Sequence, residues 1–176
     1  MPPVTAAEIA AAIRNIPDFP KPGIQFKDIT PVLADPRLFA GSIDLLTQNF
    51  APGAVDAVVG IDARGFIFAA AAATKLQAGF VPVRKKGKLP FQTIEQDYAL
   101  EYGQATVAMH VDALKPGARV LLIDDLLATG GTSGAAASLV KKLGGNILEI
   151  VFLIELKFLD GRKHLKDFPV RSLVTY

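Results

Sequence analysis

Val120-Leu121-Leu122-Ile123-Asp124-Asp125-Leu126-Leu127-Ala128-Thr129-Gly130-Gly131-Thr132-Ser133 is the stretch whose reading decides the fold. Its four leading apolar residues, Val120 to Ile123, have the continuous pattern of a strand buried on both faces. Asp124 and Asp125 follow where such a strand would leave its sheet. Ala128 to Thr132 is a small-residue turn, and Ala136, Leu139, Val140 and Leu143 mark one face of a helix behind it. Lys141 and Lys142 suit that helix's C-terminus, and Gly144-Gly145 ends it.

This order of elements points to a ligand. Backbone N–H groups at a helix N-terminus, with no bulky side chain nearby, make a phosphate site. Adjacent carboxylates accept hydrogen bonds from two neighbouring hydroxyls, as on a ribose. Phosphate at one end and a diol at the other describe a ribose 5-phosphate. The alternative is a surface turn with two acids that merely end a strand. The Thr-Gly-Gly-Thr run in register after the acids favours the ligand.

Composition bounds the rest. A chain of 176 residues, 51% hydrophobic and 20% charged, fits a single well-packed domain over 1–176. A formal charge of +2 makes no electrostatic case for nucleic acid. The chain has no cysteine, which excludes disulfides and fits a reducing compartment. Neither a signal peptide nor a bilayer-spanning run is visible, so a cytoplasmic protein without membrane contact is expected. The two histidines, His110 and His164, are not at metal-ligand spacing, and no protein ligand set for a metal is expected. Nucleophile-elbow, P-loop and dinucleotide-binding patterns are absent as well.

Outward from the opening stretch, strands alternate with helices. Thr5 and Glu8 have capping-box spacing before a helix with Ile9, Ile13 and Ile16 on its stripe. Pro17, Pro20, Pro22 and Gly23 then force an extended segment ending in Ile24-Gln25-Phe26. A second helix starts at Asp35-Pro36. Strands are expected over 55–61, 80–84, 104–111 and 147–154, a helix over 66–76, a short helix over 158–165 and a final strand over 170–174. The stretch 85–103 fits neither period and reads as irregular, with Arg84, Lys85, Lys86 and Lys88 clustered at its start. It is either a solvated basic face or a lid. The pattern as a whole means an α/β fold, a mostly parallel sheet with helices on both faces. Asp62-Ala63-Arg64-Gly65, at the carboxyl end of a parallel strand, sits where such sheets bind ligands; Arg64 suits a pyrophosphate or a local acid.

The opening stretch resembles the phosphoribosyl pyrophosphate signature of the type I phosphoribosyltransferases, and Leu126-Leu127 resembles their adenine-specific branch. Ala63-Arg64-Gly65-Phe66, Arg84 to Pro90, Leu100-Glu101-Tyr102-Gly103 and Phe19 to Asp28 resemble that branch too. The resemblance implies the type I phosphoribosyltransferase fold, with a base-binding segment at 13–30 and a flexible hood loop at 85–103. It implies transfer of ribose 5-phosphate from phosphoribosyl pyrophosphate to adenine, giving AMP and pyrophosphate, in a homodimer whose partner reaches across with its hood.

The resemblance also assigns roles. Asp124 and Asp125 hold the ribose hydroxyls, and Ala128, Thr129, Gly130, Gly131 and Thr132 hold the 5-phosphate. Arg64, Lys85 and Lys88 stabilise the pyrophosphate together with Mg²⁺ bound mainly through the substrate. Phe26 and Leu126 sandwich the base, backbone groups of Gln25 and Lys27 read its edge, and Glu101 manages its imidazole proton. Rival readings are a phosphoribosyltransferase for xanthine or hypoxanthine and guanine, or a nucleotide-sensing regulator on the same fold. The Leu126-Leu127 pair and the proline-rich segment oppose the first. The low charge and the lack of an added DNA-binding helix pair oppose the second.

Overall fold

The computed structural model describes residues 2–99 and 103–176, and the chain divides into two compact units, residues 1–45 and 46–176. In the first, helix α1 (Ala6–Ala12) opens with the expected capping box. The Glu8 N–H donates to Thr5 Oγ1 at 3.2 Å, and the Thr5 N–H donates to Glu8 Oε2 at 2.9 Å. The helix stops at Ala12, so Ile16 lies not on its stripe but in strand β1 (Arg14–Pro17). Pro17 accounts for this, because the residue before a proline is pushed out of the helical region.

β1 pairs antiparallel with β2 (Gln25–Asp28), which sets Ile16 opposite Phe26 and Pro17 opposite Gln25. The turn between them closes on Asp18, whose Oδ1 accepts from the Gly23 N–H at 2.8 Å. A short helix α2 (Thr30–Ala34), not among the expected elements, precedes α3 (Pro36–Thr47). Asp35 starts α3 as its sequence position suggests, accepting from the N–H groups of Arg37 and Leu38 at 2.8 and 3.1 Å.

The second unit is built on a seven-stranded sheet in the order β5-β6-β4-β3-β7-β8-β9. Its strands are β3 (Ala57–Ile61), β4 (Gly79–Lys85), β5 (Thr93–Ala99), β6 (Gln104–His110), β7 (Arg119–Leu127), β8 (Asn146–Glu155) and β9 (Val170–Thr175). β4, β3, β7, β8 and β9 run parallel, while β6 and β5 add an antiparallel edge. This is the mostly parallel sheet the sequence implies, with β7 the middle one of its five parallel strands. Helix α5 (Gly131–Lys142) covers one face, where Val59, Val120 and Leu122 pack with Ala136, Leu139 and Val140. Helix α4 (Arg64–Leu76) rests on the opposite face over Gly60, where Phe66 and Ala69 approach. A strand covered on both sides needs no polar alternation, which is why Val120 to Ile123 reads as unbroken apolar sequence.

Three further expectations are corrected. The stretch 85–103 is not irregular throughout, because Thr93–Ala99 forms β5 against β6. Glu95, Gln96 and Asp97 hide it, since an edge strand open to water on one side carries charge instead of an apolar run. The helix expected over 158–165 is two separate 3-10 turns, Lys157–Leu159 and Gly161–His164, split by Asp160 at a left-handed φ of 50°. Finally, β7 does not end at Ile123. It continues to Leu127 beside β8, so Asp124 and Asp125 are strand residues.

Leu122 of β7 is fully buried in the core under the site. Leu122→Ala is expected to lower unfolding free energy by about 2–5 kcal/mol, read from the denaturant midpoint at unchanged slope.

Candidate active site

The β3–α4 and β7–α5 connections leave the carboxyl ends of two neighbouring parallel strands and wall one cavity of about 380 Å³. Of the residues expected at the site, Arg64, Asp124, Asp125, Leu126, Ala128, Thr129, Gly130, Gly131 and Thr132 line it together. Ile61, Asp62, Ala63 and Ser133 complete the wall. The Asp62–Ala63 peptide bond is cis.

The acidic side is built around one ion pair. Arg64 Nη2 stands 2.7 Å from Asp125 Oδ2, the carboxylate being 8% exposed. The Asp125 N–H donates to Asp124 Oδ1 at 2.9 Å. Arg64 thus meets a local acid, the alternative its sequence position left open, and does so while facing the cavity. Gly65 makes this geometry possible: any side chain there would run into the Asp124 carboxylate. The sequence places Gly65 in a ligand-binding loop but gives no sign that it faces Asp124. Asp62, in the same loop, is held by Arg84 Nε at 2.8 Å.

Burial, and then the charge of Asp125, pushes the Asp124 carboxyl well above the usual carboxylate range. Burial also raises Asp125, and the Arg64 guanidinium offsets that rise only in part. Asp124 therefore holds a proton more readily than an ordinary aspartate.

The opposite side is the start of α5. Gly130 caps the helix with a φ of 82°, a left-handed conformation that glycine adopts freely. The first intrahelical bond of the new helix runs from the Gly134 N–H to the Gly130 carbonyl at 2.9 Å, and Ser133 Oγ donates to the same carbonyl at 3.2 Å. The N–H groups of Gly131, Thr132 and Ser133 precede that bond, as the first turn of any helix requires. Backbone dipoles and small side chains therefore face the cavity on this side.

Other expected residues are placed elsewhere. Lys85 ends β4 and Lys88 donates its N–H to the Lys85 carbonyl at 3.1 Å; among the described residues neither lines the cavity. Gln25, Phe26 and Lys27 form β2 in the first unit, with Phe26 partly buried and edge-on to Phe19 at a centroid distance of 5.1 Å. Glu101 lies outside the described residues.

The raised Asp124 has a consequence for stability. Below the ordinary aspartate range, near pH 4, the group is protonated folded or unfolded and has no effect. As pH rises through the window up to its folded value, the folded state binds more protons than the unfolded, so stability falls. Asp124→Asn is expected to stabilise the protein by about 1 kcal/mol or more near pH 7, with the gain vanishing toward about pH 4. Denaturant melts across that range check the sign.

The phosphoribosyl transferase domain family matches residues 28–173 of this chain. An adenine phosphoribosyltransferase of Acidothermus cellulolyticus is 57% identical over 175 residues, 99% of this chain and 99% of that protein. The crystal structure of an adenine phosphoribosyltransferase from Rhodothermus marinus matches with a TM-score of 0.92 at 51% identity, covering 97% of this chain and 98% of that one. The Saccharomyces cerevisiae enzyme, solved with an imino-altritol bisphosphate and adenine, matches with a TM-score of 0.90 at 41% identity over 96% of this chain and 97% of that one. With these relatives and this site, the chain belongs to the phosphoribosyltransferase family, among the adenine phosphoribosyltransferases.

Proposed function

We propose that this chain transfers the ribose 5-phosphate group from phosphoribosyl pyrophosphate to N9 of adenine, giving AMP and pyrophosphate. One observation carries the reading: a single cavity with an acidic pair on one wall and a helix N-terminus on the other. Asp124 and Asp125 accept hydrogen bonds from the ribose hydroxyls. Backbone N–H groups of Ala128 to Thr132 hold the 5-phosphate, with the Thr129 and Thr132 hydroxyls as further donors. Arg64, close to Asp125, bridges that acid and the departing pyrophosphate, and Lys85 and Lys88 add positive charge to it. Leu126 offers the base an apolar surface from the cavity wall. Phe26 offers it a ring to stack on, and Gln25 and Lys27 present their backbone groups along one edge of β2. Catalysis then rests on positioning and on charge stabilisation as the C1′–oxygen bond breaks.

The donor set suits a cation that arrives with its substrate. Among the described residues no three His, Cys, Asp or Glu side chains gather into a cage, and Asp125 is engaged by Arg64. Mg²⁺ brought with the substrate would supply charge neutralisation for the leaving group. No helix among the described residues is long and apolar enough to cross a membrane. We take 1–176 to act as one catalytic domain, a homodimer in the cytoplasm, with 85–103 as its hood.

Purine preference tests the reading. With phosphoribosyl pyrophosphate and Mg²⁺, adenine should be converted to AMP with a kcat/KM about 10²-fold or more above that of hypoxanthine, guanine or xanthine. Comparable use of hypoxanthine would move the protein to another purine. We assign the imidazole proton of adenine to Glu101, the carboxylate between Leu100 and Tyr102, since a group must accept that proton as N9 bonds to C1′. Glu101→Gln should lower kcat by about 10²–10⁴-fold and leave phosphoribosyl pyrophosphate affinity near wild type. A fall of less than about threefold in steady-state turnover would remove Glu101 from the role.

A further inference from the structure

The phosphate turn does not stand alone. On the side away from the cavity its backbone presses against the 3-10 turn Gly161–His164, which no sequence motif of the site includes. A Cβ at Gly130 would strike the Gly161 carbonyl oxygen, with Gly161 C at 2.9 Å and Cα at 3.0 Å. A Cβ at Gly161 would in turn strike the Ala128 carbonyl oxygen and stand 2.9 Å from Leu127 Cδ1 and 3.1 Å from the Gly130 nitrogen. The contact is backbone on backbone in both directions, so neither side can yield by turning a side chain. Ala128 and Gly130 are two of the residues given to the 5-phosphate.

The backing segment is itself tied down. Arg162 Nε and Nη2 donate to the two oxygens of Glu155 at 2.7 Å each, and its Nη1 donates to the Val170 carbonyl at 3.1 Å. Glu155 is 4% exposed and pairs in register with Leu127, the last residue of the strand that carries Asp124 and Asp125. The Leu156 N–H donates to the Leu127 carbonyl at 2.9 Å. Beyond the turn, Leu165 is anchored in the main core. A two-point guanidinium–carboxylate fork is the most directional ion pair a protein can make, and here it locks the segment to the end of β7.

Resting on the phosphoribosyl reading above, we propose that Gly161 and Arg162 are positioning residues for the 5-phosphate. The forked Arg162–Glu155 pair holds the 3-10 turn as a rigid backing, and Gly161 sets how far the Ala128–Gly130 backbone stands toward the ligand. Neither residue touches substrate. A methyl group at position 161 pushes the phosphate turn and leaves the base-binding strand β2 alone.

The test uses the full-length protein with Mg²⁺ and measures steady-state kinetics for both substrates, with calorimetric binding of phosphoribosyl pyrophosphate alongside. Gly161→Ala should raise KM and Kd for phosphoribosyl pyrophosphate about tenfold or more, with KM for adenine within about twofold and kcat within about threefold. Arg162→Lys keeps the charge but loses the fork, and should raise the same KM several-fold with the same selectivity. If Gly161→Ala fails to fold, Arg162→Lys decides by itself. Unchanged phosphoribosyl pyrophosphate affinity in the folded variants overturns the proposal, and so does an equal rise in both KM values with a matching fall in kcat. Failure of the wild type to bind phosphoribosyl pyrophosphate would instead overturn the functional reading itself, and this proposal with it.

Discussion

Two adjacent carboxylates at the end of a buried strand repel each other and lose hydration, and the site depends on how that penalty is met. Arg64 offsets part of it through the 2.7 Å contact with Asp125. The larger share stands on Asp124, whose carboxyl is raised by burial and by its neighbour. A buried ion pair is seldom a net gain in stability, because desolvation offsets much of the attraction. Such an arrangement suits a ligand that brings its own hydrogen-bond donors. The hydroxyls of a ribose are such donors, and on the proposed reading they add to the hydrogen bond that Asp124 accepts from the Asp125 N–H within the protein.

That constraint explains features around it. α4 must start close enough for Arg64 to reach Asp125, and Gly65 is the residue that lets its first turn pass the Asp124 carboxylate. β7 must stay paired with β8 beyond Ile123, because backbone polar groups beside buried carboxylates need ladder partners. The parallel order of β4, β3, β7 and β8 brings the two connections to one end of the sheet. Negative charge on one wall and helix N–H groups on the other then give the cavity a polarity that suits a sugar phosphate from end to end.

The edge of the sheet follows different rules from its centre. β3 and β7 are closed on both faces and carry an unbroken apolar signal, whereas β5 is half open to water and carries Glu95 and Asp97. Lys86 meets Glu95 at 2.7 Å across this edge, and Thr106 Oγ1 donates to Asp97 at 2.6 Å. Such polar cross-strand pairs hold an edge strand without making it a template for aggregation. They also erase the periodicity by which a strand is recognised.

Much of the site was legible because its chemistry is contiguous. Strand, acid pair, small-residue turn and helix start fall within Val120 to Ser133, and each is dictated by a local rule of periodicity, helix capping or backbone freedom. The Thr5–Glu8 capping box and the Asp35 cap were legible for the same reason, since their partners lie within one helical turn. Nothing local told that Arg64 would pair with Asp125, that Gly65 would face Asp124, or that Gly161 would back Gly130. These contacts join residues from different crossovers, and a crossover's landing place follows from strand order and helix packing, not from the residues near it. Position 161 was the least legible, because backbone-on-backbone contact leaves no side-chain signature except a glycine, and a glycine has many uses. The sequence alone determined which groups the protein offers to a sugar phosphate; the tertiary structure decided which of them meet, because only the packed parallel sheet brings distant loops to the same strand ends.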